Sequence, residues 1–200
     1  MATRQEQGEQ SRRALIDAAA AEFRRSGYAG AGVDAVAARA GLTSGSFYRH
    51  FASKNEIFAV VVAEGLDHIA RNIRQVQGDG QLRWEREFID FYFGVPYREE
   101  VESGCVLPSL AAEIARADDR AREAFARGLD TAAGEFASRL SSLPKDLAQG
   151  RALSILAVMT GAITLARAVG PGAMADEIAA AAAGTVLQLL TDPAPAPVAS

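Results

Sequence analysis

One stretch constrains this chain more than any other: Gly27 to Phe58, GYAGAGVDAVAARAGLTSGSFYRHFASKNEIF. Val33, Val36, Ala37 and Ala40 fall at i, i+3, i+4 and i+7, the apolar stripe of a short helix. Gly41 follows where a helix needs a left-handed residue to end it, a conformation glycine takes without steric cost. Thr43 is a natural N-cap for a second short helix that turns Phe47 inward. Ala37, four residues before Gly41, is small enough for that second helix to cross close by. The spacing predicts two helices joined by a tight turn, a helix-turn-helix. Ser53-Lys54-Asn55-Glu56 then reads as a capping box that opens the next helix.

The outward side of the second helix is polar. After Thr43 come Ser44, Gly45, Ser46, Tyr48, Arg49 and His50: hydroxyls, a bare backbone, a guanidinium and an imidazole. Groups of these kinds hydrogen-bond phosphates and base edges. Lys54 falls at a helix N-terminus, where a phosphate is favoured. These eight are the candidate DNA-binding residues.

At these positions the chain resembles the TetR family of transcriptional regulators. The residues that carry the resemblance are Gly27-Tyr28, Val36-Ala37, Ala40-Gly41, Tyr48-Arg49-His50-Phe51 and Ser53-Lys54. It covers about residues 11 to 60. One departure is Gly32, where the family usually has a Thr or Ser that caps the second helix and touches a phosphate. That contact is not carried over. The resemblance implies a ligand-gated regulator, expected to be a repressor, that binds a palindromic operator as a homodimer.

Composition agrees with such a division of labour. Half the chain is hydrophobic (49%), rich in Ala and Leu with few β-branched runs, which favours an all-α protein. The net charge of -4 is uneven. Residues 1–60 hold eight Lys and Arg against six Asp and Glu, and residues 61–200 hold thirteen against nineteen. A mildly basic head on an acidic body suits a protein that touches DNA only with its head. The single cysteine, Cys105, excludes an internal disulfide and suggests a reducing compartment. The N-terminus has no apolar signal core, so the expected location is the cytoplasm.

Along the chain, residues 1–10 are polar and expected to be a disordered arm. Ser11 caps a first helix to about Ser26, with Leu15, Ala19 and Phe23 on one face. Residues 11–53 form the DNA-binding domain. A connecting helix over 54–77 turns Phe58, Val62, Gly65, Ile69 and Ile73 inward and ends at Gly78-Asp79-Gly80. It leads the second domain, 54–191, in which helices run over Leu82–Phe93, Pro108 to about Ala117, Asp118 to about Leu143, Pro144 to about Val169 and Ala175–Thr191. The Pro/Ala-rich tail, 192–200, is expected to be disordered.

The last two long helices carry many small residues, among them Ala157, Gly161 and Ala162, then Ala179 to Ala183 and Gly184. Both are too apolar to face water alone. The resemblance implies that they pair with their twins in a four-helix dimer interface. The run Ala152–Ala166, fifteen residues between Arg151 and Arg167, is short for a membrane span. For the effector pocket that the resemblance implies, the candidates are Trp84, Phe88, Tyr92, Cys105 and Phe125. Each of them also reads as core, and buried cysteine as a small hydrophobe is the commoner case. His50 and His68 are eighteen residues apart with no Cys or carboxylate cluster, so no metal site, cofactor or catalytic pair is expected. Ser142-Leu143-Pro144-Lys145 matches Ser-x-x-Lys but lacks the companion motifs of acyl enzymes.

Overall fold

A computed structural model describes residues 3–76 and 84–192. Among these residues there are ten helices and no strand: α1 Arg4–Gly30, α2 Val33–Arg39, α3 Ser44–His50, α4 Lys54–Gln75, α5 Trp84–Phe93, α6 Val95–Glu99, α7 Val106–Ile114, α8 Asp119–Arg139, α9 Lys145–Val169 and α10 Ala173–Thr191. The chain is all-α, as its composition predicts. It divides into two compact units. One joins the residues up to Leu66 with Val101–Gly128; the other joins Asp67–Glu100 with the residues from Leu129 onward.

The first unit is built on aromatic packing. Phe23 meets Phe58 edge-on at 5.0 Å, Tyr28 lies 4.7 Å from Phe58, and Phe47 lies 5.8 Å from Phe51. Phe23, Phe47, Phe51 and Phe58 are all buried, with Leu15, Ile57, Leu66 and Leu110 around them. α7 packs on α1, and α2 packs on both α1 and α3.

Two expectations about α1 need correcting. It starts at Arg4, so most of the segment expected to be disordered is helical. Its cap is Thr3, not Ser11: Thr3 Oγ1 accepts the Glu6 N–H at 3.2 Å and Glu6 Oε2 accepts the Thr3 N–H at 2.6 Å, a closed capping box. The helix then kinks at Gly27, where φ is +71°.

In the second unit, α9 and α10 form a helical hairpin, with α5 packed on α10 and α6 on α9. Its core includes Phe88, Tyr92, Phe136, Ile155, Met159, Ile163 and Val186. Gly94 ends α5 and is the N-cap of α6, and Pro96 does not break the helical path. It stands in the first turn of α6, where its missing N–H is not needed. Arg98 carries α6 onto α10: its guanidinium, buried, donates to the Ala175 carbonyl at 3.2 Å and to Asp176 Oδ1 at 2.6 Å. α8 stops at Arg139, short of the expected Leu143, whereas Asp118 caps it by accepting the Ala121 N–H at 3.0 Å. The Gly78–Gly80 break, the start of the helix at Leu82 and the tail from residue 193 lie outside the described residues.

Candidate nucleic-acid interface

The turn between α2 and α3 is a closed device. The Leu42 N–H reaches back to the Ala37 carbonyl at 2.9 Å and the Gly41 N–H to the Ala38 carbonyl at 3.0 Å. This pair of bonds is a Schellman motif, which satisfies the last carbonyls of α2. Gly41 sits at φ +68°, as the motif demands. Thr43 then caps α3, its Oγ1 accepting the Ser46 N–H at 3.2 Å. Phe47 is fully buried beneath α3, and the Ser44 hydroxyl donates to Asp34 in the first turn of α2. The angle between the two helices is thus held at both ends of the turn.

This packing sorts the eight candidate residues. Gly45, Tyr48 and Arg49 are exposed on α3, with Tyr48 at 59% the most accessible aromatic side chain of the unit; Thr43 is exposed at its start. Ser44 and His50 are half-buried. Ser46 is not on the outward face: it is 3% exposed, and its hydroxyl accepts from Arg49 Nη2 at 3.0 Å. The helical period carries it to the buried side next to Phe47, so it aims Arg49. Lys54 is the first residue of α4, at the helix start where the sequence places it. Its ammonium donates to the Tyr28 carbonyl at 2.9 Å and lies 4.3 Å over the Tyr28 ring. It fastens the end of α1 to the start of α4. The box expected there is half-formed, with the Ser53 hydroxyl accepting the Glu56 N–H at 3.2 Å and the Glu56 carboxylate taking the Ala52 N–H at 2.7 Å.

One neighbour escaped the sequence reading. Arg12 lies 5.2 Å over the Phe51 ring, which brings the first half of α1 against the C-terminal end of α3. Glu22 is another: a buried carboxylate whose hydrogen bonds from Arg25 and Arg39 hold it below the ordinary carboxylate range.

The pocket candidates separate. Trp84, Phe88 and Tyr92 belong to the second unit, Cys105 and Phe125 to the first. Phe88 and Tyr92 are core, stacked at 6.0 Å, with Phe136 edge-on to Phe88 at 5.3 Å. Arg139 lies 4.6 Å over Trp84. A cleft of about 280 Å³ is lined by Asn72, Gln75, Val76, Glu87, Phe88 and Phe91; of the five candidates it includes only Phe88. Cys105 is 3% exposed and precedes α7 as its cap residue, next to the buried Val106 and Leu107. Among the described residues no group of three or more His, Cys, Asp and Glu is placed to hold a metal ion.

α9 and α10 each bury one face and leave another open. Ile155, Met159 and Ile163 are buried, while Leu153, Leu165 and Val169 are exposed, and Ala157 with them. On α10 Val186 is buried, while Met174, Ala181 and Gly184 are exposed. A β-carbon added at Gly161 or Gly184 would meet no atom within 4 Å. Both helices are long and apolar enough to cross a membrane by length and composition alone.

Comparison with known proteins centres on the head. The family described as bacterial regulatory proteins of the tetR family matches residues 15–61. The HTH-type transcriptional activator FasR of Mycolicibacterium smegmatis is 38% identical over 61 residues, which are 30% of this chain and 28% of that protein. The match therefore spans little more than a quarter of that relative's length. Likeness to solved structures runs through most of the chain. E. coli NemR in its reduced form superposes with a TM-score of 0.74 at 18% identity, covering 92% of this chain and 99% of that one. A TetR transcriptional regulator from Chloroflexus aurantiacus gives a TM-score of 0.75 at 23% identity, covering 94% and 97%. At such identities the likeness establishes the fold: a helix-turn-helix head followed by a helical body.

Proposed function

Because residues 15–61 match the family described as bacterial regulatory proteins of the tetR family, we propose that the chain is a regulator of that family, binds a palindromic operator as a homodimer and is released by a small-molecule effector. The observation that carries the DNA reading is the exposed face of α3. Tyr48 and Arg49 project from a short helix whose cap, turn and underside are all satisfied within the head. A preorganised helix of this size fits the major groove, where hydroxyls and guanidinium groups read base edges. On this reading Thr43, Ser44, Gly45, Tyr48, Arg49 and His50 face DNA. Ser46 orients Arg49, and Lys54 acts mainly by holding α1 on α4.

Homodimerisation is supported by the open faces of α9 and α10. A mid-helix glycine costs about 1 kcal/mol relative to alanine, and among the described residues nothing packs against Gly161 or Gly184 to explain either. Close approach by a second copy would. Domains are proposed as a reading head over 11–53 and an effector-binding and dimerising body over 54–191. The cleft beside Phe88 is a candidate in the body for a small, partly apolar effector. A coupling of ~1–3 kcal/mol between effector and head gives a ~5–150-fold change in operator affinity.

We favour repression, in which an occupied operator blocks transcription, although the curated relative is named an activator. The test is fluorescence anisotropy with duplexes from the DNA flanking the coding region, across a salt series, joined to a transcription assay. Preferential, salt-dependent binding is expected, with transcription lowered by the protein. Equal affinity for unrelated DNA would overturn the operator reading, and raised transcription would replace repression with activation.

A further inference from the structure

We infer that Glu102, forty-one residues beyond the family-matched segment that ends at residue 61, is a positioning residue for DNA reading. The inference rests on the DNA-binding reading of α3. It starts from Glu22, whose side chain is 6% exposed and whose carboxylate accepts from Arg25 Nη2 at 2.7 Å and Arg39 Nη1 at 3.1 Å. A carboxylate that dry requires its cations, because removing one leaves buried charge uncompensated. Arg39 is the last residue of α2, two before the turn glycine, and its other arm donates to Glu102 Oε2 at 2.5 Å. Glu102 also lies 3.7 Å from Arg25 Nε, and its backbone carbonyl accepts from Arg24 at 3.3 Å. One acidic residue therefore grips both α1 and the end of α2.

The same stretch holds the head elsewhere. Glu113 of α7 accepts the Tyr28 N–H at 2.8 Å, just past the kink of α1. Asp118 accepts from Asn55 in the first turn of α4 at 2.9 Å. α3 has little freedom of its own, since the Leu42–Ala37 bond and the Ser44–Asp34 bond fasten it to α2. Whatever sets the direction of α2 sets the direction of α3. The Glu102–Arg39 bridge acts at the end of α2 where that direction is decided.

The chemistry gives a test with opposite signs. Glu102 is an exposed anion in the compact unit that carries α3, so if it were merely surface charge, Glu102→Gln would strengthen binding to every DNA by reducing repulsion. A positioning residue predicts the reverse for operator: a loss of roughly 3- to 10-fold in the ratio of operator to random-sequence affinity. The salt slope should stay unchanged, because no phosphate contact is removed. Glu102→Asp should recover part of the ratio. A second measurement is independent of DNA: amide hydrogen exchange in the free full-length protein. Faster exchange at Leu42 and Ser46 in Glu102→Gln, with the amides of α9 unchanged, is the expected result. Equal exchange rates in variant and wild type would overturn the inference, as would a rise in affinity for both DNAs alike. A wild type without operator preference would sink the DNA reading alone, and the exchange rates would still decide whether Glu102 holds the head.

Discussion

A β-carbon at Gly65 would stand 2.9 Å from Cβ of Val106, closer than real side chains approach. α4 and α7 are in contact there at backbone range, and Val106 is β-branched and stiff at χ1, so it cannot swing aside. Gly65→Ala should therefore destabilise the protein by ~1–3 kcal/mol through overpacking, although alanine is the better helix former by ~1 kcal/mol. Thermal melts check this; a variant as stable as the parent would mean that the α4–α7 contact is looser than described.

Gly161 is the opposite kind of glycine, with empty space where its side chain would be. Gly161→Ala should be neutral or slightly stabilising in a monomer but should weaken a close helix–helix dimer. Gly161→Arg and Ala181→Arg should shift the protein toward monomer with the helix content kept. Sedimentation velocity at micromolar concentration reads the outcome, and a wild type that sediments as a monomer would remove the proposed interface.

Tyr48→Ala should weaken operator binding by roughly 1–3 kcal/mol without changing the melting temperature by more than a degree or two, because the ring is 59% exposed and only its edge contacts Phe47. Ser46→Ala should behave differently. It removes a buried hydroxyl and frees Arg49, so both stability and affinity should fall. If Tyr48→Ala binds like the parent, α3 does not read DNA through that ring.

Acid should loosen the head through Glu22. Its carboxyl is held below the ordinary range, first by the hydrogen bond from Arg25 and then by Arg39, with burial opposing both. A group with a depressed native pKa adds stability that is present above its unfolded value, about 4.3, and is lost as pH falls past it. Unfolding free energy should therefore drop more steeply between pH 5 and 3 in the wild type than in Glu22→Gln, which should be less stable at neutral pH by ~1–3 kcal/mol. Parallel curves for the two proteins would show that Glu22 is not coupled to folding.

Cys105 should label slowly. The thiol is 3% exposed, next to buried Val106 and Leu107. Maleimide should modify it only as fast as the first unit opens, so mild denaturant should accelerate the reaction steeply. Fast labelling in buffer would show that the thiol is open to solvent in the folded protein.

The turn and its neighbours were legible because each rested on local chemistry. Gly41, Thr43 and Phe47 occupy the conformations and depths that their residue types demand. What the sequence hid was long-range. Lys54 sits at a helix start and reads as a phosphate ligand, yet the Tyr28 carbonyl, twenty-six residues earlier, takes its ammonium. Ser46 reads as outward in a list of polar residues, but a seven-residue helix anchored by Phe47 turns it under. The aromatic cluster of α5 was visible as a cluster, whereas its use depends on Phe136, forty-eight residues beyond Phe88, which fills the space beside it. The early start of α1 was legible in Thr3 and Glu6 and was outweighed by the polar composition around them.

The compact unit that carries α3 is assembled from two separated stretches, one ending at Leu66 and the other spanning Val101–Gly128, so the segment that reads DNA is not a self-sufficient folding module. A chimaera that transplants residues 1–60 of this chain onto another regulator's body would bring α1 without the face of α7 it is shaped to meet, where Val106, Leu107, Leu110 and Ile114 are buried. Substitutions where α1 meets α7 should therefore have coupled effects on stability. A functional exchange of reading heads between relatives has to carry both stretches across together.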